Sequence, residues 1–334
     1  MRRLCVLILL ILVTASGGWG LTGCATEDPD ENVQFTVPPG ATFIQVTDTL
    51  WARDLVRSRT AFRVMARIRG DDRSVRAGQY SVSRGIGMGA LLDTLVEGRM
   101  VTIPVTIPEG FTLRQMAPRL AQVTEMDPNE VLERLQALGD EDRWGVPGPG
   151  LEGYLFPDTY LFAPGLSLEG VVESMVRRYR RVWTEERRAR AEELGMTEGE
   201  VMTLASIVQG EARRVEEMPL IAGVFHHRLR IGYLLQADPT IQFALGERRS
   251  RLLYADIDSV ADHPYNTYTQ PGLPPGPIGA PGEAAIEATL FPEDTQYLFF
   301  VARPDGTHIF TRTLQEHNRA RVQARREWNA LQTP

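Results

Sequence analysis

Residues 197–212, TEGEVMTLASIVQGEA, carry the signals of a helix that ends in a carboxylate. Thr197 and Glu200 have the spacing of a capping box, which predicts that a helix begins beside them. The apolar residues that follow recur at helical spacing: Val201, Leu204, Ala205 and Val208. At about 100° per residue, Glu211 falls at the edge of this apolar stripe, beside Leu204. The pattern therefore predicts an amphipathic helix with one acid turned partly inward.

The position of Glu211 indicates acid catalysis. A carboxyl group held against apolar neighbours has a raised pKa and can stay protonated, as a general acid requires. Gly210 costs about 1 kcal/mol of helix propensity, but its lack of a side chain would let a substrate or another backbone approach the acid. The alternative is an ordinary solvated glutamate at a helix edge, and this stretch alone does not exclude it.

The composition is that of a globular protein without an obvious cofactor. The chain has 334 residues, 43% of them hydrophobic, and that length favours about two domains. Its net charge of −7 does not indicate a nucleic-acid partner. All 36 basic residues are arginine, which we attribute to genome composition. No HExxH or CxxC pattern occurs in the sequence, so no metal and no cofactor is expected.

Residues 1–23 have the pattern of an export signal. Two arginines precede an apolar run at residues 4–13, and small residues follow it. The run is short for a bilayer span, which needs about 20 residues. LTGC, at residues 21–24, resembles the bacterial lipobox, in which Cys24 is lipidated and becomes the mature N-terminus. The alternative is an uncleaved transmembrane anchor, and either would tether a periplasmic, extracytoplasmic protein to a membrane.

An acidic linker at residues 24–34 precedes a predicted α+β fold in two domains. VPPGATF (residues 37–43) and IPEGFTL (residues 107–113) each place a Pro and Gly turn between a strand and a threonine that can cap a helix. Residues 35–106 are similar to the LysM fold, a small module that binds N-acetylglucosamine polymers. A generic α+β turn is the alternative. Residues 107–330 are expected to form the larger α+β domain.

Several segments of the larger domain are predicted to shape a cleft. The segment LEGYLFPDTYLF, at residues 151–162, is predicted to form an ordered loop. A long charged helix is expected over residues 168–194. Asp238 is placed to N-cap a helix with Pro239 at its first position, and a substrate role is the alternative. Residues 263–288 are rich in proline and glycine and are predicted to form a rigid cleft wall. A hairpin is predicted across residues 304–306.

These segments together resemble the endolytic murein transglycosylases of the YceG-like (MltG) family. The matching motifs span roughly residues 35–321: VTIPEGFT, LEGYLFPDTY, LASIVQGEA, RLRIGYLLQADPT, YNTYTQPGLPPGPIGAPGEAAIEA and DGTHIFTRTLQEHN. The family pattern usually has two acidic residues after ASIV. Here the first of the two positions holds Gln209, which leaves Glu211 as the catalytic candidate. The family is normally anchored by one transmembrane segment, and the lipobox-like LTGC departs from that.

The resemblance implies a peptidoglycan lytic transglycosylase, a lyase that acts on polysaccharide. It would cleave the β-1,4 bond between N-acetylmuramic acid and N-acetylglucosamine within glycan strands, leave 1,6-anhydro ends, and so terminate nascent strands. Glu211 would act as the sole acid and base. Substrate contacts are expected from Gln236, Asp238, Asn266, Tyr268, His308, Glu316 and Asn318. For the last three, bracing of the fold is the alternative.

The expected partners are peptidoglycan glycan strands and the membrane, with peptidoglycan synthases as further candidates. Two other functions stay open on the sequence. One is a muramidase-type hydrolase in which Asp238 serves as base or nucleophile. The other is a non-catalytic cell-wall-binding lipoprotein, in which the LysM-like module does the binding and Glu211 is structural.

Overall fold

The computed structural model describes residues 31–249 and 252–332. The chain divides into two compact units, Met1–Met100 and Val101–Pro334, so the boundary falls six residues before the predicted end of the first domain. The LysM-like character of the first unit stays a prediction. The predicted signal or anchor and the predicted lipidation site Cys24 lie outside the described residues. Within the described ranges, no helix is both long enough and apolar enough to cross a bilayer.

The first unit consists of a two-stranded sheet and three helices. Its elements are β1 (Asn32–Val37), α1 (Phe43–Ala52), α2 (Arg59–Arg69), β2 (Gly78–Ser83) and α3 (Met88–Glu97). β1 and β2 pair antiparallel, and Phe35 lies opposite Tyr80 with the ring centroids 5.5 Å apart. Every second residue of β1 is buried, because the side chains of a strand alternate between its two faces. The buried face and the three helices share one core.

The helix cap predicted at the threonine of VPPGATF is confirmed. The Thr42 hydroxyl accepts a hydrogen bond from the Gln45 N–H (3.3 Å), and the Gln45 side chain accepts one from the Thr42 N–H (2.8 Å). This reciprocal pair satisfies two backbone donors at the start of α1. Gly98 ends α3 in the left-handed conformation, with φ of 72°, which glycine adopts without steric cost.

The second unit begins with a small sheet and a layer of helices. Its first elements are β3 (Ile103–Thr106), α4 (Leu113–Thr124), α5 (Pro128–Gly139), β4 (Thr159–Phe162), α6 (Leu168–Val182) and α7 (Glu185–Glu193). β3 and β4 pair antiparallel. Thr112 and Gln115 form a capping box at the start of α4, as Thr42 and Gln45 do at α1. The two Pro and Gly turns noted in the sequence therefore lead into helices with the same cap.

The single charged helix predicted over residues 168–194 is wrong. The chain leaves the helical conformation at Trp183, which is 3% exposed, and the Thr184 side chain caps a second helix by accepting a hydrogen bond from the Arg187 N–H. No Gly or Pro marks this break, and its local signal is a capping threonine followed by two acids, Glu185 and Glu186, in the first turn of α7.

The rest of the second unit surrounds one buried helix. Its elements are α8 (Glu198–Glu211), α9 (Met218–Arg230), α10 (Asp238–Leu245), α11 (Tyr254–Ser259), α12 (Glu283–Leu290), β5 (Phe299–Ala302), β6 (His308–Thr311) and α13 (Leu314–Gln332). Residues 201–208 of α8 are all buried, with α7, α9, α10 and α12 packed around the helix. The sequence predicted burial of one side of this helix only, and that prediction is too narrow. A helix that is buried on all sides lies at the centre of a core.

The hairpin predicted across residues 304–306 is confirmed. β5 and β6 pair antiparallel, with Phe299 opposite Thr311 and Ala302 opposite His308. Within residues 31–249 and 252–332, the strands form three separate two-stranded sheets. Small antiparallel sheets among many helices confirm the α+β class.

Gly223 in α9 gives a test of this packing. A Cβ at residue 223 would lie 2.2 Å from the carbonyl oxygen of Glu293, so Gly223→Ala must displace backbone. We expect a loss of about 1–3 kcal/mol in the free energy of unfolding of the second unit, measured by denaturant titration. Gly89→Ala in α3 is the control because its Cβ meets no atom within 4 Å, and it should be neutral or stabilising by up to about 1 kcal/mol. Equal losses in both variants would contradict the packing described.

Candidate active site

Glu211 is the last residue of α8 and is partly exposed. The capping box predicted at the other end of the helix is present, and the Thr197 hydroxyl accepts a hydrogen bond from the Glu200 N–H at 3.2 Å. The helix continues through Gly210, and the backbone turns away at Ala212. The carboxyl therefore sits at a helix end that the buried core holds in place, and it still has access to solvent.

Gly210 brings the start of α10 against the end of α8. A Cβ on Gly210 would lie 2.8 Å from both the Cβ and the Cγ of Pro239. The proline ring thus occupies the space that a side chain at residue 210 would need. This confirms the expectation that the glycine lets another segment approach beside the acid.

The surroundings of Glu211 favour its protonated form. Burial raises the pKa of its carboxyl, and the negative charge of Asp238 adds to that increase, bringing the pKa to about 8. The charge of Arg228 and a hydrogen bond donated by the Asp238 backbone N–H act in the opposite direction. At neutral pH the group accordingly holds a proton that it can give away.

Arg228, on α9, is a buried cation near this carboxyl. The residue is 5% exposed, and its guanidinium donates to the carbonyl oxygen of Leu298 (2.7 Å) and to that of Leu235. Burial lowers its pKa, whereas Tyr233, Glu211 and Tyr268 raise it. The sequence interpretation missed this residue. The available signal was an arginine at helical spacing from the apolar residues Ile221 and Phe225.

Asp238 does not cap α10 as predicted. The helix has Ala237 at its N-cap and Asp238 as its first residue, with no side-chain cap hydrogen bond. The Asp238 carboxylate instead accepts a hydrogen bond of 2.5 Å from the Tyr268 hydroxyl. Burial and the charge of Asp238 raise the pKa of Tyr268, so the tyrosine stays a donor. The structure thus brings together Glu211, Asp238 and Tyr268.

Gln236 lies two residues before this cluster in a left-handed backbone conformation. Its φ is 46°, which is unfavourable for a residue other than glycine. Its N–H donates to the Thr267 carbonyl at 3.0 Å, and the Ala237 N–H donates to the Thr267 hydroxyl at 3.0 Å. Gln236 is partly exposed, so its predicted sugar contact stays a prediction.

Asn266 holds the loop that carries Tyr268. It has no exposed surface, and its amide donates to the carbonyls of Ile257 and Val260, each at 3.0 Å. The amide oxygen accepts from the Tyr268 N–H, also at 3.0 Å. This placement favours bracing of the loop over the sugar contact predicted for Asn266.

The Pro- and Gly-rich wall is fixed to α8 by two side chains. The Ile278 N–H donates to the Ser206 hydroxyl, and the Gly282 N–H donates to the Gln209 side chain, each at 3.0 Å. Gln209, which stands where the family pattern has an acid, therefore binds backbone here. The wall also exchanges backbone hydrogen bonds with the IPEGFTL turn, from Gly110 to Ala280 and from Ala280 to Phe111.

Glu152 of the LEGY loop is a second carboxyl with a raised pKa. Burial brings its pKa to about 8, although hydrogen bonds from the backbone of Leu113 and Gly153 act to lower it. The Leu113 N–H lies 3.2 and 3.3 Å from the two carboxylate oxygens. Leu113 is the first residue of α4, so Glu152 ties the loop to a helix start.

The remaining predicted contacts brace other parts of the unit. The His308 ring nitrogen Nδ1 lies 2.7 Å from the Glu217 carboxylate, and the His308 side chain is 3% exposed. Glu316 accepts from the backbone N–H groups of Arg312 and Thr313 at the start of α13. Asn318 is exposed on α13. These placements favour the structural alternative for His308 and Glu316, and give no contact between Asn318 and the Glu211 cluster.

In the part of the chain that the structure describes, no group of three or more His, Cys, Asp or Glu residues could hold a metal ion.

Comparison with known proteins places the chain in a family. The sequence model of the YceG-like family matches residues 35–323. The chain belongs to the YceG-like family. It is 31% identical over 312 residues to a Bacillus subtilis protein named endolytic murein transglycosylase, with 88% of this chain and 85% of that protein covered. A protein of the same name from Streptococcus pneumoniae is 29% identical, and the match spans 63% of its length.

A solved member of the family has the same fold. The crystal structure of a YceG-like protein from Listeria monocytogenes superposes with a TM-score of 0.58 and 30% sequence identity. The match covers 87% of this chain and 99% of that one. The similarity of fold therefore extends over almost the whole length of the Listeria protein.

The electrostatic coupling in the Glu211 cluster can be measured directly. In Asp238→Asn, the negative charge beside Glu211 is lost while the amide oxygen can still accept from Tyr268. We expect the pKa of Glu211 to fall below its wild-type value of about 8, measured by NMR titration of ¹³C-labelled glutamate carboxyls and assigned with Glu211→Gln. Tyr268→Phe is the control, because it removes the hydrogen bond and leaves the charge, so the pKa should stay raised. An unchanged pKa in Asp238→Asn would refute the coupling.

Proposed function

We propose that this protein is an endolytic murein transglycosylase and that Glu211 is its general acid and base. The observation that carries the proposal is the placement of the Glu211 carboxyl, which lies at the solvent-accessible end of a buried helix, has a pKa of about 8, and is influenced by both an acid, Asp238, and a cation, Arg228. The family and the names of its relatives support the substrate, the glycan strand of peptidoglycan. The bond cleaved is the β-1,4 bond between N-acetylmuramic acid and N-acetylglucosamine.

One carboxyl is enough for this reaction. Glu211 donates its proton to the glycosidic oxygen, and the bond between that oxygen and C1 of the muramic sugar breaks. The C6 hydroxyl of the same sugar then forms a bond to C1 and returns its proton to Glu211. The product is a 1,6-anhydro end, no water is consumed, and the acid is restored. An intramolecular nucleophile has a high effective concentration, of the order of 10⁵ M or more when well oriented.

Asp238 and Arg228 suit the two protonation states of this cycle. The Asp238 charge favours the proton on Glu211 before donation, and the Arg228 charge stabilises the carboxylate afterwards. The Asp238 carboxylate is already engaged by the Tyr268 hydroxyl at 2.5 Å. That engagement favours an electrostatic role for Asp238 over the base or nucleophile of a muramidase-type hydrolase. Gln236 and Tyr268 are the remaining candidates for contact with the sugar.

Glu211→Gln tests the proposal. The amide keeps the shape of the side chain but has no proton to donate, so turnover should fall by roughly 10²–10⁴-fold. The measurement is release of 1,6-anhydro-muropeptides from purified sacculi, analysed by mass spectrometry. In the wild type the protonated fraction falls as pH rises through the pKa of about 8, so the rate should decline across that pH. Glu211→Gln with near wild-type turnover would remove the residue from the mechanism.

Glu216→Gln is the matched control, because Glu216 is exposed and lies five residues beyond Glu211. Glu217 is unsuitable, since its carboxylate binds His308. The products separate the alternatives. Reducing ends in place of anhydro ends would indicate a hydrolase. Binding to sacculi without any cleavage would indicate a non-catalytic wall-binding protein.

We also propose that the N-terminal segment tethers the protein outside the cytoplasm, at a membrane where peptidoglycan synthases are candidate partners. The lipobox-like LTGC at residues 21–24 supports lipidation of Cys24. The intact mass of membrane-extracted protein should match a lipid-modified chain that begins at Cys24, and Cys24→Ala should block this processing. A species that retains residues 1–23 would contradict lipidation and favour a transmembrane anchor.

A further inference from the structure

Helices α1 and α2 of the first unit expose large apolar side chains to solvent. Ile44 and Trp51 on α1 are 58% and 48% exposed, and Val64 and Ile68 on α2 are 52% and 81% exposed. Each pair is separated by seven or four residues and therefore lies along one side of its helix. The opposite sides of both helices pack into one core. We refer to Ile44, Trp51, Val64 and Ile68 as the outer face.

The outer face lies in a cationic unit of an acidic protein. Residues 31–100 contain ten arginines and seven acidic residues, a net charge of +3, whereas residues 101–334 contain 24 arginines and 33 acidic residues, a net charge of −9. α1 and α2 together have four arginines and one acid. That acid, Asp48, is paired with Arg59 at 3.2 Å and with Arg63 at 2.8 Å. Arg69 is paired with Asp71 at 2.8 Å and with Asp93 at 2.5 Å, both of which lie outside these helices. Counted over their own residues, the two helices carry a net charge of +3 beside the apolar side chains.

Trp51 is paired with an arginine side chain. The Arg59 guanidinium carbon lies 4.5 Å from the centroid of the Trp51 ring. The arginine therefore covers one face of the ring, and the pair presents an aromatic and a cationic group side by side. Tryptophan, aliphatic and arginine side chains together are typical of surfaces at the boundary between headgroups and acyl chains.

The chain upstream of the first unit limits how far this surface can lie from a membrane. β1 begins at Asn32, eight residues after Cys24. Eight residues span at most about 30 Å when fully extended. If the predicted tether is attached at Cys24, the outer face is held within reach of the bilayer. The tether then gives the outer face a high effective concentration at the membrane surface, so that even a contact of low intrinsic affinity is occupied.

We propose that the outer face binds the surface of an anionic phospholipid bilayer. The apolar side chains enter the boundary between headgroups and acyl chains, and the surrounding arginines bind lipid phosphates. The contact is a second membrane attachment in addition to the N-terminal tether, and it fixes the orientation of the first unit at the membrane. It does not depend on the proposed enzymatic function.

Fluorescence quenching by brominated lipids tests the contact on the full-length protein. Wild type and Trp51→Phe are reconstituted into vesicles of phosphatidylcholine and phosphatidylglycerol whose acyl chains are brominated. The difference between the two proteins isolates the emission of Trp51. We expect most of that emission to be quenched, and the quenching to weaken when phosphatidylglycerol is omitted or salt is raised. Equal quenching of wild type and Trp51→Phe would overturn the proposal.

A matched pair of exposed valines controls for general effects of a new charge. Val64→Asp places an acid in the outer face and should abolish most of the quenching of Trp51. Val322→Asp, at a valine that is 53% exposed on α13, should leave it unchanged. In a further measurement, purified glycan strands are added to the same protein and the emission of Trp51 is recorded. A change in Trp51 emission with glycan and not with brominated lipid would overturn the membrane contact in favour of a glycan surface.

Discussion

The close contact between Gly210 and the ring of Pro239 is the constraint on which the candidate site depends. α8 ends one residue after Gly210, and Pro239 is the second residue of α10, so this contact sets the separation of the two helix ends. It brings the Asp238 N–H to the Glu211 carboxylate. Any larger residue at position 210 would have to push the helices apart. A glycine that weakens the helix by about 1 kcal/mol is therefore what permits the arrangement of charges.

The same helix also fixes the wall beside the acid. A segment rich in proline has few backbone donors. Two of the donors in this segment bind α8: the Ile278 N–H donates to the Ser206 side chain, and the Gly282 N–H donates to the Gln209 side chain. Ser206 is one of the buried residues 201–208 and Gln209 directly follows them, so both anchors belong to the helix at the centre of the core. A general acid has to be held within a fraction of an ångström of its productive position, and attaching both acid and wall to one rigid helix provides that.

Short-range signals made much of this predictable from the sequence. The helix cap at Thr42, the capping box at Thr197 and the hairpin across residues 304–306 each depend on residues a few positions apart, and the structure has all of them. Long-range contacts caused two of the errors. Asp238 fails to cap α10 because its carboxylate accepts a hydrogen bond from the hydroxyl of Tyr268, thirty residues later. Arg228 was not predicted because its partners, the carbonyls of Leu235 and Leu298, become its neighbours only on folding. The helix break after residue 182 did have a local signal, the capping residue Thr184, which the prediction of one continuous helix overlooked.

Two carboxyls of this unit, Glu152 and Glu211, have a pKa of about 8 for the same principal reason, burial. The pKa alone therefore does not distinguish a catalytic acid from a structural one, and the neighbouring charges do. Glu152 has both oxygens within 3.3 Å of the Leu113 N–H, so its carboxyl is committed to the start of α4. Glu211 is influenced by the negative charge of Asp238 and the positive charge of Arg228, which favour opposite protonation states. A group that must lose and regain a proton in each turnover needs that balance, and on this ground Glu211 is the better candidate.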